Sequence, residues 1–81
     1  MPRYRFHIYN SVQTVDHEGK HFVNATAARE HAIKGARDLM SADLMRTGEI
    51  NLSHWIEVED ESDEITVVAF SDAVTFRSTA D

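Results

Sequence analysis

The segment His17-Glu18-Gly19-Lys20-His21 is the one stretch whose residue types and spacing fit a catalytic pattern, H-E-x-x-H. On a helix, imidazoles at i and i+4 share a face, so His17 and His21 could hold zinc while Glu18 activates a metal-bound water. Val12, Val15, Gly19 and Phe22 recur at near-helical spacing and lend this some support. Three observations oppose it. Gly19 inside a helix costs about 1 kcal/mol relative to alanine. Val12-Gln13-Thr14-Val15 favours a strand, and a chain of 81 residues has little room for both a buried metal and a substrate cleft. A polar hairpin turn is the preferred reading and no resident cofactor is expected. The alternative is a small metal-binding protein or zinc-dependent hydrolase using His17 and His21.

Other candidate groups are weaker. Glu57–Glu64 holds six carboxylates in eight residues. It lacks the central glycine and terminal bidentate glutamate of an EF-hand, so it reads as a solvated hairpin turn, with a basic partner as the other use. Arg29 and Asp43 fall on the apolar side of a helix, about 21 Å apart, too far to pair with each other. Arg29 reads as a structural anchor that bridges the helix to Asp16 or Glu18. His7, His31 and His54 are scattered and read as surface or boundary residues. Lys34 and Arg37 share a helix face with Glu30 and Asp38, which leaves little net field for nucleic acid. There is neither a glycine-rich phosphate loop nor a nucleophile motif.

The elements that must position these groups follow from periodicity. Arg3–Tyr9 alternates, with Tyr4, Phe6 and Ile8 on one face and Arg3, Arg5, His7 and Tyr9 on the other. A second strand is expected around 12–16, then a turn at Asp16–Gly19. Asn24 or Thr26 can cap a helix whose apolar positions are Ala32, Ile33, Ala36, Leu39, Met40 and Leu44. Glu30, Lys34, Arg37, Asp38 and Ser41 fall on its opposite face, and Gly48 supplies the left-handed cap. Residues 54–59 alternate again, placing Ile56 and Val58 opposite Trp55, Glu57 and Glu59. Residues 64–70 are β-rich and apolar on both faces, and Val74 and Phe76 add a short strand or pack on the core. The result is a single α+β domain over residues 1–77, with 78–81 read as a frayed tail. Its order is ββαββ, an antiparallel four-stranded sheet with one long helix packed on one face.

Length and composition narrow the function classes. With 42% hydrophobic and 27% charged residues the chain can build a core, and with no cysteine it is neither a disulfide scaffold nor a thiol enzyme. The net charge of −6 divides into +2 over residues 1–48 and −8 over 49–81, against a nucleic-acid or anionic-membrane partner. No run approaches the roughly 20 apolar residues of a membrane span, and the N-terminal residues do not read as a signal region, so the cytoplasm is the expected compartment.

Met1-Pro2-Arg3-Tyr4 with Phe6-His7, Asp16-x-Glu18-Gly19, Ala27-Ala28-Arg29-x-x-Ala32, Ile56-Glu57-Val58-x-Asp60-Glu61 and Phe70-x-Asp72-Ala73 together resemble DUF6894, a bacterial family of small proteins of unknown function. The resemblance spans about residues 1–74 and implies no activity. Family members often carry Leu-Pro-Asp ahead of the helix, where this chain has Phe22-Val23-Asn24. They often carry glycine in the second hairpin turn, where this chain has Ser62 and Asp63.

One helix about 10 Å wide covers only part of one face of a sheet nearly 20 Å wide. The other face is expected to carry Arg5, His7, Tyr9, Trp55 and Glu57 as a candidate interaction surface, with Arg3 and Arg5 forming cross-strand charge pairs with Glu57 and Glu59 if the first and third strands are neighbours. A non-catalytic module that works by protein–protein contact, as a homodimer, is the expected function.

Overall fold

The computed structural model describes residues 1–79. Its elements are β1 (Arg3–Tyr9), β2 (Gln13–Thr14), β3 (Lys20–His21), α1 (Ala25–Thr47), β4 (Trp55–Glu59) and β5 (Ile65–Ala69), followed by a 3-10 turn at Phe70–Asp72. The sheet is antiparallel with strand order β2-β1-β4-β5, and β3 also pairs with β1. The α+β class and the single long helix are therefore as the sequence implies.

The second expected strand is divided in two. Gln13 and Thr14 pair with the end of β1, Lys20 and His21 pair with its start, and the Asp16–Gly19 turn bulges between them. Gly19 adopts φ +73°, a conformation open to glycine at little cost. Phe22 follows β3 and packs edge-on against Phe6 and Tyr4, on the side of the sheet that faces the helix.

Asn24, rather than Thr26, is the N-cap: its Oδ1 accepts a bond from the Ala27 N–H at 2.9 Å. Gly48 ends the helix at φ +76°, with its N–H donating to the Leu44 carbonyl. The buried stripe is Ala28, Ala32, Ala36 and Met40, one residue every four. Small side chains there bring the helix close over Ile56, Val58 and Val68. Ile33 and Leu39 flank this stripe half-buried, but Leu44 is exposed, contrary to its apolar placement. The reason is length. Twenty-three helical residues run about 35 Å, whereas a five-residue strand covers only about 17 Å, so the last turns overhang the sheet.

Phe70 and Val68 are the largest fully buried side chains. After Phe70 the chain turns onto the helix, where Arg37 Nε donates to the Ala73 carbonyl at 2.7 Å. Arg37, expected on the solvent face, thus ties the tail to α1. Val74 packs against the core, whereas Phe76 is exposed and no strand forms there. Of the residues read as a frayed tail, 80 and 81 lie outside the described residues. Among the described residues no helix is long and apolar enough to cross a membrane.

Candidate functional site

The helix lies on one face of the sheet, and the opposite face is uncovered. Alternation along β1, β4 and β5 places three rows there: Arg5, Glu59 and Ile65; His7, Glu57 and Val67; Tyr9, Trp55 and Ala69. The open face therefore unites Arg5, His7, Tyr9, Trp55 and Glu57, the five expected surface residues, with Glu59, also expected on this face, and adds Ile65 and Val67. Ile65 and Val67 are 52% and 54% exposed. The apolar character of 64–70 on both faces was the signal for them.

At one end of this surface Tyr9 and Trp55 stack with centroids 4.9 Å apart and planes 7° from parallel. Trp55 Nε1 donates to Glu57 Oε2, and the Gln13 amide donates to the Tyr9 hydroxyl. Burial, with Glu57 next, pushes the Tyr9 phenol above its ordinary pKa. The stack is held rigidly from both sides, as a contact surface requires.

The other end is ionic. Arg5 lies 3.3 Å from Glu59, its register partner, and 3.5 Å from Asp63 of the following turn. His7 is buried rather than a surface or boundary residue. Its Nδ1 accepts a bond from the Asp16 backbone N–H at 3.1 Å, which leaves Nε2 as the protonated nitrogen, and Nε2 donates to Glu59 Oε1 at 2.8 Å. Both ring nitrogens are thereby occupied within the sheet, so neither presents a lone pair to a substrate or a metal. The hydrogen bond from His7 holds the Glu59 carboxyl below its ordinary pKa against the opposing effect of burial, with Arg5 assisting.

Asp16 explains how β1 survives the gap between β2 and β3. Its Oδ2 accepts from the Phe6 backbone N–H at 3.0 Å, in place of a strand partner, and Oδ1 accepts from the N–H groups of Glu18 and Gly19. Burial alone would raise this carboxyl, but the donors from Gly19, Phe6 and Glu18 outweigh it and the net shift is downward. Because the folded values of Asp16 and Glu59 are depressed, their stabilisation is complete above the ordinary carboxylate range near pH 4 and disappears as pH falls through the folded values. We expect the urea midpoint to decline modestly below about pH 6.5, where the lowered pKa of His31 makes its protonation favour the unfolded chain, and to fall steeply below about pH 4 as the two carboxylates protonate. Asp16→Asn/Glu59→Gln should show a shallower acid limb; parallel limbs for the two proteins would refute the assignment.

The H-E-x-x-H segment does not form a helix. His17, Glu18 and Gly19 lie in the turn and His21 lies on β3, with its Nδ1 2.8 Å from the Met1 carbonyl. The two imidazoles therefore lack the shared helical face that zinc hydrolysis requires. Among the described residues no group of three or more His, Cys, Asp or Glu side chains is placed to hold a metal ion.

Arg29 does not bridge to Asp16 or Glu18. It is exposed and lines a groove with Tyr4, Thr26, Asp60 and Glu64, whereas Asp16 borders the open-face concavity beside His7. Among the described residues no carboxylate lies within 4.0 Å of it. Asp43 pairs instead with Arg46, at 3.1 Å. His31 is half-buried against Phe6 and Phe22; burial, then Lys20 and Lys34, lower its pKa.

The acidic run is engaged internally. Asp60 Oδ1 accepts from the N–H groups of Ser62 and Glu64, and Asp63 takes φ +63°, at the turn where family members often have glycine. Glu57, Glu59 and Asp63 are held by Trp55, His7 and Arg5, which leaves Glu61 and Glu64 as the acids most open to a basic partner.

No curated protein and no solved structure matches the chain. The family model described as domain of unknown function (DUF6894) matches residues 3–71, which include β1 to β5, the helix and every residue of the open face described above, and the chain belongs to that family.

Proposed function

We propose that this protein is a non-catalytic protein–protein interaction module that self-associates as a homodimer. Its contact surface is the open sheet face on the side of Trp55, Ile65 and Val67. The observation that carries this reading is the combination, on one uncovered face, of a pre-ordered Tyr9–Trp55 stack with exposed Ile65 and Val67. Rigid aromatic and β-branched side chains lose little conformational entropy on contact, so their burial is retained as binding free energy. The ionic end supports the same reading: Arg5, His7, Asp16 and Glu59 satisfy one another and the backbone, and so serve as scaffold. The cytoplasm is its proposed compartment, consistent with a sequence that contains no cysteine.

Sedimentation equilibrium across a concentration series from micromolar to millimolar tests the proposal. A reversible monomer–dimer curve is expected, and Trp55→Ala should shift it toward monomer. A single monomeric mass at every concentration would overturn self-association.

A further inference from the structure

The two edges of the sheet differ. One is formed by β2 and β3, two residues each, separated by the Asp16–Gly19 bulge and bearing Lys20 and His21. Short, interrupted and charged strands of this kind protect an edge from pairing. The other edge is β5, Ile65-Thr66-Val67-Val68-Ala69, which contains no charge, proline or glycine. Among the described residues no strand pairs with its outer side. Beyond Ala69 the 3-10 turn carries the chain onto α1, with Phe70 and Ala73 buried there.

Resting on the proposed self-association, we infer that two copies join by antiparallel pairing of β5 with β5, about a twofold axis at Val67, into one continuous sheet. The hydrogen-bond phase of the strand supports this. The Asp60 N–H donates to the Glu64 carbonyl and the Phe70 N–H to the His54 carbonyl, in the same register that sets Ile56 opposite Val68 and Val58 opposite Thr66. In an antiparallel ladder, bonding alternates residue by residue. Thr66 and Val68 therefore bond to β4, and Ile65, Val67 and Ala69 direct their N–H and C=O groups to the free edge.

That outward set is self-complementary. With Val67 on the axis, Val67 faces Val67 of the second copy, and Ile65 and Ala69 each face the other residue type. All three are bonded pairs, giving about six interchain backbone bonds. The same three residues place their side chains on the open face, so Val67 meets Val67 and Ile65 meets Ala69 in an apolar stripe across the junction.

Of the two orientations a second copy could take, charge selects the antiparallel one. Each chain carries −6, much of it in the turn that precedes β5. Antiparallel pairing sets the two acidic turns at opposite ends of the junction, about 20 Å apart, beyond the screening length of about 8 Å at physiological salt. A parallel arrangement would bring them together.

A charge-swap experiment reads the register directly, because Val67 is exposed and its N–H and C=O groups make no bond to β4. Val67→Lys and Val67→Glu, each alone, place like charges opposite each other and should weaken self-association about tenfold or more. Mixing the two variants should restore dimer as a heterodimer. In the unmodified protein, amide hydrogen exchange should become slower at Ile65, Val67 and Ala69 as concentration rises, while Thr66 and Val68 are protected at every concentration. A wild-type dimer in which V67K and V67E each remain fully dimeric, or in which those three amides stay unprotected, overturns edge pairing and leaves self-association standing. A wild-type monomer up to millimolar concentration overturns both.

Discussion

Gly19→Ala is expected to destabilise the protein by about 3 kcal/mol, the left-handed conformation accounting for about 1–2 kcal/mol and steric overlap for the rest. At φ +73° a Cβ would stand 2.7 Å from the Tyr4 carbonyl oxygen, with the Arg3 and Arg5 side chains at 3.0 and 3.1 Å. The carbonyl belongs to β1 and cannot swing aside without disturbing the pairing of Tyr4 with Lys20. For a domain of this size each kcal/mol lowers Tm by about 4–8 °C, so thermal unfolding should show a fall of more than about 10 °C. Gly48→Ala is the control. It has nearly the same φ, +76°, but nothing within 4 Å of the added Cβ, so it should lose only about 1 kcal/mol. Equal losses at the two positions would show that the approach to Tyr4 is not what makes Gly19 necessary.

Asp16→Ala should cost about 3 kcal/mol near neutral pH, from three lost backbone acceptor bonds, one of which strands a donor within a strand. The decisive group is the Phe6 N–H. It points into the gap between β2 and β3, where only the Asp16 carboxylate reaches it. The loss of the Glu18 and Gly19 bonds would also free the turn that holds the Asp16 N–H against His7. Because the folded carboxyl has a lowered pKa, protonation removes the same stabilisation from the wild-type protein. The gap between wild type and Asp16→Ala, measured by urea unfolding, should therefore narrow as pH falls below about 4. A gap that stays constant down to about pH 2.5 would mean that the carboxylate charge is not the source of the effect.

These two residues show how far local patterning reaches. Alternation in 3–9, 54–59 and 64–70 is a property of neighbouring residues, and it placed the strands and the faces of Tyr4, Trp55 and Glu57 correctly. The Asn24 and Gly48 caps, and the Asp16–Gly19 turn, were equally legible because capping and turn chemistry act within a few residues. DUF6894 membership was legible from short motifs whose order spans the chain. Leu44 alone among the expected apolar positions of the helix is exposed, because the sequence shows which residues are apolar, not how long a sheet lies beneath them. Arg29 and Arg37 exchanged their expected roles for a related reason. A long side chain binds whatever its tip meets, and Arg37 meets the Ala73 carbonyl supplied by the tail.

The H-E-x-x-H segment illustrates the opposite case, a correct spacing on a backbone that does not use it. Only a helix would align His17 with His21; Gly19 in the left-handed conformation against Tyr4 commits the segment to a turn and a strand.

By itself, then, the sequence determined the elements, their caps, the two faces of each strand and a surplus of sheet over helix. Tertiary structure alone decided that β1 lies beside β4, that His7 is enclosed between Glu59, 52 positions away in sequence, and the Asp16 backbone, and that β5 is left as the unprotected edge. The division has a physical cause. Alternation and capping are set by interactions over two to four residues. Strand order is set by which arrangement buries Val68 and Phe70 beneath a stripe of alanines while placing β1 and β4 where both of their sides find partners, and that is a property of the whole chain.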